Sequence, residues 1–326
     1  MAVGMSGGNL GDGQSPLAFS VASSSDGIRW AAARPLDSRG LDPSIQVAGL
    51  VQGPTGLLLV GRPAGNTCGG PPTVAALWSS RDGLTWRRVA WPRVFGSNRV
   101  QTLDAGSAGD IATGLRTDGR TPAIWLSTDG VAWRSAPLPQ ISAGRLVVTG
   151  ATSFAGGLVV AGAVIGPEGC GGASSIHPSI WWSADGASWT REPLTGASNG
   201  NDAAMSIVRI TDRALVAIER SASPGDRAWL SDDGRTWTRI AAPSTIVEFR
   251  LVTDGRHAVA VVRLEGASAP AVIAFHETGS TSTLAETGDR PDPSADGSQW
   301  SFAVGPTGIL MVRENGGTVW LGHPRN

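Results

Sequence analysis

Loop carboxylates are the first residues in this chain whose type suggests chemistry. Two carboxyl groups facing a cleft roughly 5–9.5 Å apart are what glycosidic bond cleavage requires. Asp42, Asp118, Glu168 and Asp202 are the candidates, each in a polar connection between apolar runs. A second set is basic: Arg62, Arg116, Arg220, Arg263 and Arg313 each close an apolar run. Guanidinium groups bind carboxylate, sulfate or phosphate through a planar two-pronged donor, so a set of them could hold an anionic ligand. The same residues would also serve simply to blunt strand ends and keep the surface soluble. Gly196-Ala197-Ser198-Asn199-Gly200 satisfies the Gly-x-Ser-x-Gly pattern of hydrolases. That pattern needs a strand before it and a helix after it, and neither is legible here. The histidines (His177, His257, His276, His323) are scattered without zinc-ligand spacing, so no metal site and no cofactor is expected.

Composition narrows the chemistry further. The 326 residues carry a formal charge of −1 with 41% apolar residues, the balance of a packed globular protein and not of a nucleic-acid binder. All 26 basic residues are Arg, and Tyr is absent. Without Lys there is no Walker phosphate loop and no Schiff base, and without Tyr no tyrosine nucleophile. No apolar run approaches the ~18 residues of a membrane span.

The elements that must position these residues come from a repeat. Ser-x-Asp-Gly-x-x-Trp recurs at Ser24–Trp30, Ser80–Trp86, Ser127–Trp133, Ser183–Trp189 and Ser231–Trp237, with its aspartates 56, 47, 56 and 48 residues apart. A second tryptophan precedes four of these aspartates by four residues: Trp78, Trp125, Trp181 and Trp229. Ahead of each phrase lies a hairpin text such as Ile45–Val60, in which a turn joins two apolar runs. Each unit therefore reads as four short strands, A to D, with the Asp-Gly turn joining C to D. Nothing reads as a helix. Sheets of this size repeating about every 50 residues point to an all-β propeller in one domain. The blades fall at 1–36, 44–92, 99–139, 145–194, 203–243, 246–286 and 298–326, the first and last incomplete. Seven blades is the count; six is the alternative, with the Trp300–Val312 hairpin completing the strands at Leu17–Ala33. In the sixth unit the turn has become His276–Ser282, losing Asp and Trp but keeping Gly279.

At these residues the chain resembles the Asp-box, or bacterial neuraminidase repeat, family, which includes sialidases, some endoglucanases, sortilin-type receptors and non-catalytic envelope proteins. The family box, Ser-x-Asp-x-Gly-x-Thr-Trp, is one residue longer between Asp and Trp. The physical role of the box is structural: the carboxylates of Asp26, Asp82, Asp129, Asp185 and Asp233 accept backbone amides, Gly takes a positive φ, and Trp30, Trp86, Trp133, Trp189 and Trp237 pack between strands. Trp91 lies outside the repeat. The resemblance implies that the B–C and D–A loops share the ligand face, so the five arginines would surround a funnel mouth. The missing Tyr argues against retaining sialidase chemistry, and the family's Phe/Tyr-Arg-Ile-Pro motif is also missing; Val208-Arg209-Ile210-Thr211 and Phe249-Arg250-Leu251-Val252 come nearest.

The expected function is therefore a non-catalytic propeller binding a glycan, an anionic polymer or a protein through its funnel face. The alternative is a glycoside hydrolase with a carboxylate pair. A monomer is expected. Cys68 and Cys170 both sit in Cys-Gly-Gly texts in the two lengthened B–C loops, which suggests a disulfide between them; two free thiols, or a weak metal site with His177, are the competing readings. A disulfide implies an oxidising compartment, hence an extracellular or cell-envelope protein, although the chain begins without a signal peptide or lipobox and opens inside a strand B, which suggests sequence upstream.

Overall fold

The computed structural model describes residues 2–6, 18–22, 34–39, 41, 45–53, 56–63, 76–168, 174–198, 204–220, 227–242, 246–253, 258–264, 271–283, 300–305, 308–313 and 319–322. All regular structure among them is β. Five sheets have four antiparallel strands and the first and last have three. They are built from Ala2–Ser6, Ala18–Ala22 and Arg34–Pro35; Ile45–Gly53, Gly56–Pro63, Ala76–Ser80 and Arg87–Val89; Arg99–Gly106, Gly109–Leu115, Pro122–Ser127 and Trp133–Ala136; and Arg145–Phe154, Gly157–Glu168, Ser174–Ser183 and Thr190–Glu192. The last three are Ala204–Thr211, Ala214–Arg220, Arg227–Ser231 and Thr238–Ile240; Ile246–Thr253, Ala258–Leu264, Ala271–Phe275 and Thr281–Thr283; and Trp300–Gly305, Gly308–Arg313 and Val319–Gly322. In each sheet the strands are neighbours in chain order. Such meandering four-stranded sheets are consistent with a β-propeller.

The chain divides into two compact units, Met1–Leu138 with Asp185–Ser188, and Pro139–Ala184 with Trp189–Asn326. Inside each unit successive sheets share a core, because side chains alternate across a strand. In the first unit, Leu58 and Val60 join Val100, Ala112 and Trp125 of the next sheet, while Leu59 turns the other way to Val21 and Trp78. In the second, Leu215 and Ala217 pack with Phe154, Val159 and Trp229, and Val216 and Ile218 with Ile273 and Phe275. Second strands buried on both faces read as continuous apolar runs for this reason.

The tryptophans divide into two kinds. Trp78, Trp125, Trp181 and Trp229, on the third strands, are at most 1% exposed. Three of them donate Nε1–H to the connection that enters their own sheet: Trp78 to Asp37 O (3.0 Å), Trp125 to Val94 O (3.2 Å) and Trp229 to Thr195 O (3.2 Å). The turn tryptophans are less enclosed. Trp86, Trp133 and Trp189 are half-buried, and only Trp237 is buried. Trp91 is not idle either: it packs on Phe95 at 5.0 Å and donates to Gly96 O at 3.0 Å.

The Ser-x-Asp-Gly turns are built alike. In the second sheet Asp82 Oδ1 accepts Leu84 N (2.8 Å) and Thr85 N (2.7 Å), Ser80 Oγ accepts Gly83 N (2.9 Å), and Trp86 Nε1 donates to Gly83 O (3.1 Å). The same set recurs around Asp129 and Asp233. Asp185 Oδ1 accepts Ala187 N at 2.8 Å. In the sixth sheet Gly279 keeps φ +80° although Asp and Trp are gone, and His276 N donates to Ser280 O to close the turn. Asp26 and Trp30 lie outside the described residues.

The turn glycine has a second role, which yields a controlled test. Gly234 has φ +70°, and a Cβ there would stand 2.8 Å from Phe154 Cζ and 2.9 Å from both Trp182 Cδ1 and Val159 Cγ2 of the preceding sheet. Gly119 has nearly the same φ, +68°, with nothing within 4 Å. Gly119→Ala should cost about 1 kcal/mol, the left-handed penalty alone. Gly234→Ala should cost roughly 2–4 kcal/mol, because overpacking adds to it. Equal shifts in urea midpoint for the two variants would refute the close packing.

Candidate functional site: a polar cleft in the second unit

In an antiparallel sheet of four strands the end of the second strand, the start of the third and the end of the fourth share one edge. That edge carries the arginine series. Arg220 and Arg313 end their strands, Arg62 and Arg263 stand one residue from the end, and Arg116 follows Leu115 directly and is exposed. The side chains of Arg62, Arg220, Arg263 and Arg313 lie outside the described residues, so the series is placed by its backbone alone.

On this edge of the fourth sheet lies a cleft of about 440 Å³, lined by His177 and Pro178 from the third strand, Arg191 and Glu192 from the fourth, and Pro193, Leu194, Ala197 and Ser198 from the connection that follows. Ser198 is held by its backbone: its N–H donates to both carboxylate oxygens of Glu219 at 3.2 Å. Glu219 is fully buried at the end of the next sheet's second strand, adjacent to Arg220, and is paired with Arg227 Nη1 at 3.0 Å. A buried carboxylate that meets a guanidinium and a backbone amide fixes the loop's position.

Two buried oxygen atoms at the cleft, Ser198 Oγ and Glu192 Oε1, have no hydrogen-bond partner among the described residues. Leaving a buried polar atom unpaired costs about 1–3 kcal/mol. Burial raises the Glu192 carboxyl above its ordinary value, the nearby Asp233 adds to this, and Arg235 opposes it. His177 Nε2 meets Ser175 Oγ at 3.1 Å. Among the described residues Ser198 Oγ meets no base that would activate it as a nucleophile. What the cleft offers is a hydroxyl, a carboxyl, an imidazole and the exposed Arg191 around one space.

The other sequence candidates separate. Asp118 is exposed and tied into its own turn, accepting Arg120 N and Thr121 N at 2.8 Å; with the Thr121 hydroxyl foremost, these bonds lower it to about 2. Glu168 ends a second strand. The Glu168 side chain, Asp42, Asp202, Cys68, Cys170, His257 and His323 lie outside the described residues. Among the described residues no group of three or more His, Cys, Asp or Glu is arranged to hold a metal ion, and no helix is long and apolar enough to cross a membrane. Ser198 was flagged in the sequence only by a motif whose context is wrong. Arg191 and Glu192 carried no signal, because a fourth-strand end looks like any exposed edge.

No protein-family model and no curated protein matches this sequence. Solved structures similar to it include β-propeller proteins. The β-propeller domain of the Trilobed protease from Pyrococcus furiosus is 7% identical with a TM-score of 0.46, over 84% of this chain and 79% of that one. A lectin from Aleuria aurantia in complex with Fucα1-6GlcNAc is 12% identical with a TM-score of 0.47, over 87% and 97%. A glycoside hydrolase is 13% identical with a TM-score of 0.39, over 78% and 93%.

Proposed function

We propose that this chain is a seven-bladed Asp-box propeller that binds a glycan without cleaving it, at the sheet edge where the second strands end. The observation that carries this reading is the cleft of His177, Arg191, Glu192 and Ser198, in which, among the described residues, two buried oxygen atoms have no hydrogen-bond partner and Ser198 meets no base. Closely spaced donors and acceptors of this kind suit a polyhydroxylated ligand, and Arg191 adds a place for an anionic substituent. On this reading the arginines at 62, 116, 220, 263 and 313 extend the same edge as a guanidinium set for an anionic polymer, the protein is a monomer of one domain, and the Cys68–Cys170 pair is bridged in an exported or envelope setting.

A glycan array that includes acidic polysaccharides, run beside hydrolysis assays on the same polymers, tests the proposal. The expected result is binding without product. Arg191→Ala should weaken binding roughly tenfold, the loss of one charge-assisted contact. Ser198→Ala should weaken it less and leave the melting temperature unchanged or higher, since it removes an unpaired buried hydroxyl. Release of reducing ends would favour the glycoside hydrolase reading instead, and full binding by Arg191→Ala would remove the cleft from the site.

A further inference from the structure

The cleft has a counterpart. The turn aspartates Asp82 and Asp185 are 103 residues apart, and on that offset Arg191 corresponds to Arg88, Glu192 to Val89 and Leu194 to Trp91. A second cleft of about 340 Å³ opens in the first unit, lined by Ala76, Arg88, Val89, Ala90 and Trp91. It is made by the start of the third strand, the end of the fourth and the following connection of the second sheet. Both clefts belong to sheets whose turn aspartates follow the preceding ones by 56 residues and which carry the cysteine texts. The added length lies in the link 64–75 in the second sheet, whereas in the fourth it lengthens the strands Gly157–Glu168 and Ser174–Ser183 and leaves a short link, contrary to the loop expected from the sequence.

The walls of this counterpart are fixed. Arg88 Nη1 donates to Arg39 O at 2.6 Å, which orients the guanidinium. The indole of Trp91 is held by its bond to Gly96 O at 3.0 Å and by Phe95 at 5.0 Å. A rigid indole and an oriented guanidinium are the two elements that hold a sugar ring bearing an oxyanion: the aromatic surface packs on the C–H face and the arginine takes the charge. The element common to both clefts is arginine at one structural position, while the neighbouring residues differ.

We infer that the chain holds two equivalent sites, at Arg88 and at Arg191, each taking a sugar residue that carries a carboxylate or sulfate. The inference rests on the glycan-binding reading and deepens it: the ligand is a repeating acidic polysaccharide met at two points, and the Arg88 site is the one with the aromatic wall.

Isothermal titration of the full chain with an alginate hexasaccharide and, separately, a heparin hexasaccharide tests this. The expected result is two sites per chain for one of the probes. Alginate alone identifies the carboxylate as the recognised group, and heparin alone identifies the sulfate. Arg88→Ala and Arg191→Ala should each lower the stoichiometry from two to one, and the double variant should lose binding at least tenfold. Because Arg88→Ala also loses the bond to Arg39, Ala90→Asp serves as a second variant, placing a like charge at an exposed position while leaving Arg88 in place; it too should leave one site. One site in the unaltered protein, or two sites that survive both Arg88→Ala and Ala90→Asp, overturns the pair while glycan binding stands. Binding of a neutral glycan without either acidic probe also overturns it alone, and binding of no glycan at all overturns both readings.

Discussion

Replacing Trp125 with Ala is expected to lower the free energy of unfolding by about 3–5 kcal/mol, the range for deleting a large buried aromatic. Trp125 is 1% exposed, meets Phe95 edge-on with centroids 5.0 Å apart, and sits in the core shared by the second and third sheets. Its Nε1 reaches Val94 O in the connection that leads into its sheet, so the substitution also leaves a partly buried carbonyl with one bond fewer. Trp133→Ala should cost less, roughly 1–2 kcal/mol, because that ring is half-buried and donates only to Gly130 in its own turn. Urea unfolding followed by circular dichroism orders the two variants. A loss at Trp133 equal to that at Trp125 would place the repeat's energetic centre in the turn and not in the strand.

That ordering marks how far the sequence can be read. The turn phrase is conspicuous because its spacing, Ser-x-Asp-Gly-x-x-Trp, is set by local hydrogen bonds, and local bonds leave local patterns: Asp82 needs amides two and three residues on, and Trp86 needs the carbonyl three residues back. The sheets follow from the same regularity, down to Gly279 keeping its positive φ in a turn that has lost its other signals. Relative burial of the two tryptophan series is not local. Trp86 packs only partly buried against the core in which Trp78 is fully enclosed, a difference made by neighbours such as Val21 from another repeat. The cleft is less legible still. Ser198, Glu219 and Arg227 meet across two sheets, and the chain separations of 21 and 8 residues match no motif. The arginines at strand ends are visible as a periodic set, but periodicity alone does not say which of them adjoins a cavity. Glu219, the chain neighbour of Arg220, bonds the Ser198 amide at the cleft, and that could not have been chosen from its text.

The largest stabilisation is expected from Asp110→Leu. Asp110 opens the second strand of the third sheet, where Leu57, Leu158 and Leu215 stand in the second, fourth and fifth. It is 2% exposed, and neither carboxylate oxygen makes a hydrogen bond of normal geometry among the described residues; the Gly130 backbone amide alone lies near enough to favour the charged form. Burial pushes its pKa from 3.8 up to about 6, and the negative charges of Asp104 and Asp129 push in the same direction. The sign follows from linkage: the unfolded chain releases this proton near 3.8 while the folded chain holds it to about 6, so stability falls as pH rises through that interval and stays reduced above it. A displacement of that size corresponds to roughly 2–3 kcal/mol at neutral pH. The turn carboxylates act in the opposite sense and lower down. Asp82, held by the amides of Thr85 and Leu84, is lowered to about 2, so its contribution is present above pH 4 and is lost only as pH falls toward 2. Between pH 4 and 6 the response therefore comes chiefly from Asp110, with the raised Glu192 acting in the same direction. Denaturant unfolding at pH 4.5, 5.5 and 7 should show the unaltered protein losing stability across the series. Asp110→Leu should remove most of that slope and be more stable at pH 7 by about 2 kcal/mol, since it exchanges a buried charge without a cationic partner among the described residues for the side chain used at three matching positions. A variant less stable than the parent at pH 7 would mean that the carboxylate is bound by a partner, and that the third sheet keeps it for a purpose other than packing.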